Sequence, residues 1–147
     1  MEKKNIDWEN LGFGYVQTDK RYVSNYKDGA WDEGVLTEDA NVVINECAGV
    51  LQYAQTIFEG MKAYTTEDGR IVTFRPDLNA QRMADSARRL EMPVFPPDKF
   101  VDAVVKTVKA NAAYVPPYGT GATLYVRPYM FGSNACLLYT SDAADEL

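Results

Sequence analysis

Residues 99–112, "KFVDAVVKTVKANA", put Val101, Val104, Val105, Val108 and Ala112 on one stripe and Lys99, Asp102, Lys106 and Lys109 opposite. Apolar residues recurring at three and four positions fit a helix of 3.6 residues per turn and do not fit a strand. A helix with one apolar face has to lie against a partner. The stretch before it supplies one. In "RPDLNAQRMADSARRLEM", Pro76 and Asp77 suit a helix start, and Ala80, Met83, Ala84, Ala87 and Leu90 share a face. "PVFPPD" separates the two helices.

Around this pair the apolar period changes to two. "EGMKAY" and "RIVTF" flank the turn signal "TTEDG", so 59–74 reads as a hairpin. "ATLYVRPYMFG" alternates as a strand, with Leu124, Val126, Pro128 and Met130 on one face and Thr123, Tyr125, Arg127 and Tyr129 on the other. Pro128 lacks an N–H for the ladder, which puts it at an edge or a strand end. Upstream, "RYVSNY" is rich in strand formers, "KDG" signals a turn and "AW" opens a returning strand. Residues 42–44 offer another short strand, while "CAGVLQYAQTIF" fits either a short helix or an irregular apolar segment. No internal repeat is visible. Strands before, between and after two main helices imply an α+β domain with a mainly antiparallel sheet. The 147 residues suffice for one domain with a real core.

Histidine is absent, which removes Ser-His-Asp triads, His general bases and His-metal sites. Fifteen basic residues against twenty-one acidic ones give a net charge of −6. That balance disfavours nucleic acid and gives no support for an anionic membrane. No stretch reaches the ~20 apolar residues of a membrane span. "MEKKNIDWEN" has no apolar signal-peptide region. Cys47 and Cys136 form no CxxC and no disulfide framework. The expectation is a cytoplasmic protein with free thiols and no metal site.

Four features carry possible chemistry. Arg127 between Tyr125 and Tyr129 on one strand face is able to hold a carboxylate by paired hydrogen bonds, although the pattern alone favours a solvent-facing polar strand. Arg82 lies opposite the apolar stripe of its helix and, on the wheel alone, is a solvated arginine. "YGTGA" at 118–122 is glycine-rich but precedes a strand instead of a helix, so it reads as a turn and not a phosphate loop. Lys62 sits among apolar neighbours, where a lysine can become a nucleophile towards carbonyls. Glu59 is three residues away, on the opposite face of a strand, so the two are not expected to work as a pair.

Several stretches together resemble the N-terminal part of branched-chain amino acid aminotransferases: "LQYAQTIFEGMKAY", "GRIVTFRPDLNAQRM", "RRLEMPVF" and "VPPYGTGATLYVRPYMFG", in that order and spacing. The resemblance runs from about residue 5 to 135. It implies a pyridoxal-phosphate enzyme of the fold-type-IV class, homodimeric, moving an amino group between Leu, Ile or Val and 2-oxoglutarate. It implies that Arg82 binds the cofactor phosphate, and that Tyr125 and Arg127 lie at the substrate carboxylate. Phe58 would be a wall of the side-chain pocket, and Tyr53 would reach the neighbouring subunit's site. No catalytic residue is carried over: the Schiff-base lysine of the family lies in a second domain, and Lys62 does not match it.

The last residues, "CLLYTSDAADEL", break the pattern. "CLLYTSDAADE" matches one reading frame of a transposon-end sequencing adapter. Residues 1–135 are therefore expected to be the small domain of a truncated protein, inactive alone, with 136–147 not native. Without Asp142, Asp145 and Glu146 the net charge becomes −3. Two alternatives stay open. One is a D-amino acid aminotransferase or aminodeoxychorismate lyase of the same fold. The other is a non-catalytic small domain acting as a binding or dimerisation module.

Overall fold

The computed structural model describes residues 2–12 and 14–135. The adapter-like tail and Cys136 lie outside them.

The two helices expected from periodicity are present. The short segment left open becomes a first helix, α1 (Gly49–Tyr53), followed by α2 (Pro76–Arg89) and α3 (Pro97–Ala110). Both long helices begin on a proline, whose missing N–H is one that a first helical turn leaves unpaired anyway. They pack on each other and cover one side of the strands. Ala80, Met83, Ala87, Phe100, Val104 and Val108 meet Ile57, Met61, Ala63 and Met130 in one core.

Two details differ from the wheel. Leu90 is half-exposed because α2 stops at Arg89 and Glu91 turns left-handed (φ 53°). That turn swings Met92 into the core, with its N–H donating to the Ala87 carbonyl at 2.8 Å. On α3, Phe100 is 3% exposed and Val105 has rolled to the edge of the stripe.

Nine short strands form four antiparallel groups among the described residues. β1 (Arg21–Val23) pairs with β4 (Val35–Thr37). β2 (Tyr26–Lys27) and β3 (Ala30–Trp31) form a hairpin on the predicted turn, where Asp28 and Gly29 both have positive φ, as a two-residue type I′ turn requires. Trp31 anchors this hairpin: its Nε1 donates to the Val94 carbonyl at 2.9 Å, and its ring meets Phe95 edge-on at 4.9 Å. The strand expected at 42–44 does not form. Arg21 donates to the carbonyls of Asp39 and Asn41, holding the chain there as irregular backbone, and Val43 is 97% exposed.

The remaining strands build the centre. β6 (Met61–Thr65) lies between β7 (Ile71–Thr73) and β8 (Leu124–Val126), and β5 (Thr56–Phe58) pairs with β9 (Tyr129–Phe131). The strand expected across 122–132 is thus split at Arg127–Pro128, yet the register does not slip. Phe58 faces Tyr129 on one side of the break and Met61 faces Val126 on the other, which places Glu59 opposite Pro128 and Gly60 opposite Arg127. The Glu59 N–H donates to the Pro128 carbonyl at 2.8 Å and bridges the gap. Pro128 cannot return a hydrogen bond, which accounts for the interruption. The architecture is α+β with small antiparallel sheets and three helices, where one mainly antiparallel sheet was expected.

Candidate functional site

This continuous register sorts side chains onto two faces. Ile57, Glu59, Met61 and Ala63, with Val126 and Met130 across from them, point towards the helices and are buried or half-buried. Phe58, Gly60, Lys62, Tyr125, Arg127 and Tyr129 share the open face and are all exposed. Glu59 and Lys62 therefore lie on opposite sides, as their spacing implies.

On the open face three of the candidate residues come together. The Arg127 guanidinium lies 4.4 Å from the Phe58 ring centre and 4.9 Å from that of Tyr125. Its Nε donates to the Tyr125 hydroxyl at 2.9 Å. The cation is thereby fixed between two aromatic faces, an arrangement favourable to Arg in particular. Gly60 makes room for it: a Cβ at residue 60 would stand 2.5 Å from the Tyr125 hydroxyl oxygen. Among the described residues no carboxylate pairs with Arg127, so its outer nitrogens are placed to receive an anionic group. Lys62 shares this face as the cross-strand partner of Tyr125. Tyr53 is placed elsewhere, on α1 and exposed, and no hydrogen bond or ring contact among the described residues joins it to the cluster.

Arg82 belongs to the other face. Its Nε and Nη2 donate to the two carboxylate oxygens of Glu59 at 2.8 and 2.6 Å, and Asn79 Nδ2 donates to the same carboxylate at 2.8 Å. Burial pushes the Glu59 carboxyl upward, but the hydrogen bonds from Arg82 and Asn79 and the charge of Arg82 outweigh it and hold it below the usual carboxylate range. The Arg82 side chain is 66% exposed, and its Nη1 has no hydrogen-bond partner among the described residues. That remaining edge fits a phosphate oxygen. The balancing charge of Glu59 means a phosphate would also need donors from elsewhere.

Sequence reasoning misses Glu59 and Asn79, because spacing sets Glu59 only against Lys62. The usable signal is its place on the apolar phase of "TIFEGMKA", where an acid needs a partner, and Asn79 and Arg82 lie three apart on the helix above. The hollow lined by Gln17, Thr18, Asp19 and Glu38 involves none of the candidate residues. Among the described residues no group of acids and cysteines is arranged to hold a metal.

No family model matches the chain. It is 51% identical over 129 residues to a branched-chain-amino-acid aminotransferase of Haemophilus influenzae, a match covering 88% of this chain and 38% of that protein. The chain is a partial-length homologue of the branched-chain-amino-acid aminotransferases. It spans little more than a third of the length of such relatives. A methionine aminotransferase of Arabidopsis thaliana is 47% identical over 134 residues, 90% of this chain and 38% of that protein. Among solved structures, a T.th. branched-chain amino acid aminotransferase complexed with N-(5'-phosphopyridoxyl)-L-glutamate superposes with a TM-score of 0.58 at 26% identity, covering 81% of this chain and 35% of that one. The fold is accordingly that of fold-type-IV aminotransferases.

Proposed function

We propose that the full-length protein is a pyridoxal-phosphate-dependent aminotransferase that exchanges the amino group of Leu, Ile or Val with 2-oxoglutarate. The observation that carries this is the 51% identity to a branched-chain-amino-acid aminotransferase along 88% of the chain. In this reading residues 1–135 are the small domain, 136–147 are not native, and the lysine that bonds the cofactor lies in a second domain. The cofactor supplies the electron sink that makes the substrate Cα–H acidic. Residues of this chain bind and orient. Arg82 offers its Nη1 edge to the cofactor phosphate. Arg127 and the Tyr125 hydroxyl receive the substrate carboxylate, and Phe58 walls the side-chain pocket. Tyr53 reaches the neighbouring subunit's site in a cytoplasmic homodimer. Alone, the chain has no transaminase activity.

A second reading, methionine as the preferred amino donor, is favoured by the Arabidopsis relative. The test is a donor panel on the full-length protein loaded with pyridoxal phosphate, with glutamate formation from 2-oxoglutarate measured. Leucine, isoleucine and valine should exceed methionine by about tenfold or more in kcat/KM, a margin that an apolar pocket can supply. D-alanine should give nothing. Preference for methionine supports the second reading, and preference for D-alanine overturns both.

A further inference from the structure

Stability gives a poor reason for the Glu59–Arg82 pair. Ion pairs with an exposed partner contribute little, and taking a carboxylate to 4% exposure carries a desolvation cost. What the pair does supply is geometry. Glu59 holds Arg82 fork to fork, through Nε and Nη2. Glu59 is itself fixed twice, by Asn79 at its carboxylate and by the Pro128 carbonyl at its backbone N–H. An exposed arginine without such a hold would lose its rotamer freedom on binding a ligand.

We propose that Glu59 is a positioning residue, holding the Arg82 guanidinium so that its Nη1 edge meets the cofactor phosphate. This rests on the reading of Arg82 as the phosphate ligand. Positioning and simple electrostatics give opposite signs. If Glu59 were only a nearby negative charge, neutralising it would strengthen phosphate binding. If it positions Arg82, neutralising it weakens binding.

The experiment uses the full-length protein, stripped of cofactor and titrated with pyridoxal phosphate, with the phosphorus resonance of the bound cofactor recorded. Glu59→Gln should weaken pyridoxal phosphate binding about 3- to 10-fold and shift that resonance. Asn79→Ala, which loosens Glu59 without touching its charge, should act in the same direction by less. It carries the test if Glu59→Gln does not fold. Arg82→Ala is the control for the underlying reading and should weaken binding more than either. If Arg82→Ala binds as tightly as wild type, the phosphate reading fails. If Arg82→Ala loses affinity while Glu59→Gln and Asn79→Ala bind as tightly as wild type or tighter, the phosphate reading stands and the positioning role is overturned.

Discussion

Phe100→Ala should destabilise the chain by about 3–5 kcal/mol, the range for deleting a buried aromatic ring. The side chain is 3% exposed in the first turns of α3, where it joins Met83, Met92 and Val104 in the core beneath the central strands. Its removal leaves a cavity between two helices and a sheet, none of which can close it alone. For a domain of this size the melting temperature should fall by roughly 10 °C or more. Val105→Ala serves as the comparison, since Val105 sits half-exposed at the edge of the stripe. Urea unfolding followed by tryptophan fluorescence reads both. A loss under about 1 kcal/mol for Phe100→Ala would mean that α3 does not pack as described.

Arg127→Ala should lower kcat/KM for leucine in the full-length protein about 100- to 1000-fold. Removing one partner of a hydrogen-bonded charge pair costs several kcal/mol when the other partner, in the proposed function the substrate carboxylate, is left unmatched. Arg127 is held in place, stacked at 4.4 Å on Phe58 and bonded at 2.9 Å to the Tyr125 hydroxyl, which suits it to the proposed role. Arg127→Lys keeps the charge but loses both the fork and the planar stack, and should recover only part of the loss. An Arg127→Ala enzyme within threefold of wild type would remove Arg127 from the substrate site.

Most of this architecture was legible in the sequence, because α2, α3 and the alternation across 122–132 follow single periods over ten residues or more. What was not legible depended on chain neighbours that no period encodes. Leu90 and Met92 exchange places because Glu91 turns left-handed, and the segment 42–44 stays out of any sheet because Arg21 holds the carbonyls of Asp39 and Asn41. Of the candidate site, the Tyr125–Arg127 face was readable from alternation alone, whereas a functional sense for Arg82 came from family resemblance. The wheel placed Arg82 off the apolar stripe correctly. It could not show that the acid facing it comes from the break between two strands, 23 residues earlier. Residues that meet only through a register between distant segments, such as Gly60 with Tyr125, give no local signal.

Lys62 makes the central claim testable. It sits on the same face as Tyr125 and Arg127, so proximity alone would make it a rival for the lysine that carries the cofactor. The decisive measurement is borohydride reduction of the full-length protein loaded with pyridoxal phosphate, followed by peptide mapping of the labelled lysine. The label should fall on a lysine outside residues 1–135, with Lys62 unmodified. A label on Lys62, or on any other lysine of this chain, would contradict the placement of the cofactor lysine in a second domain.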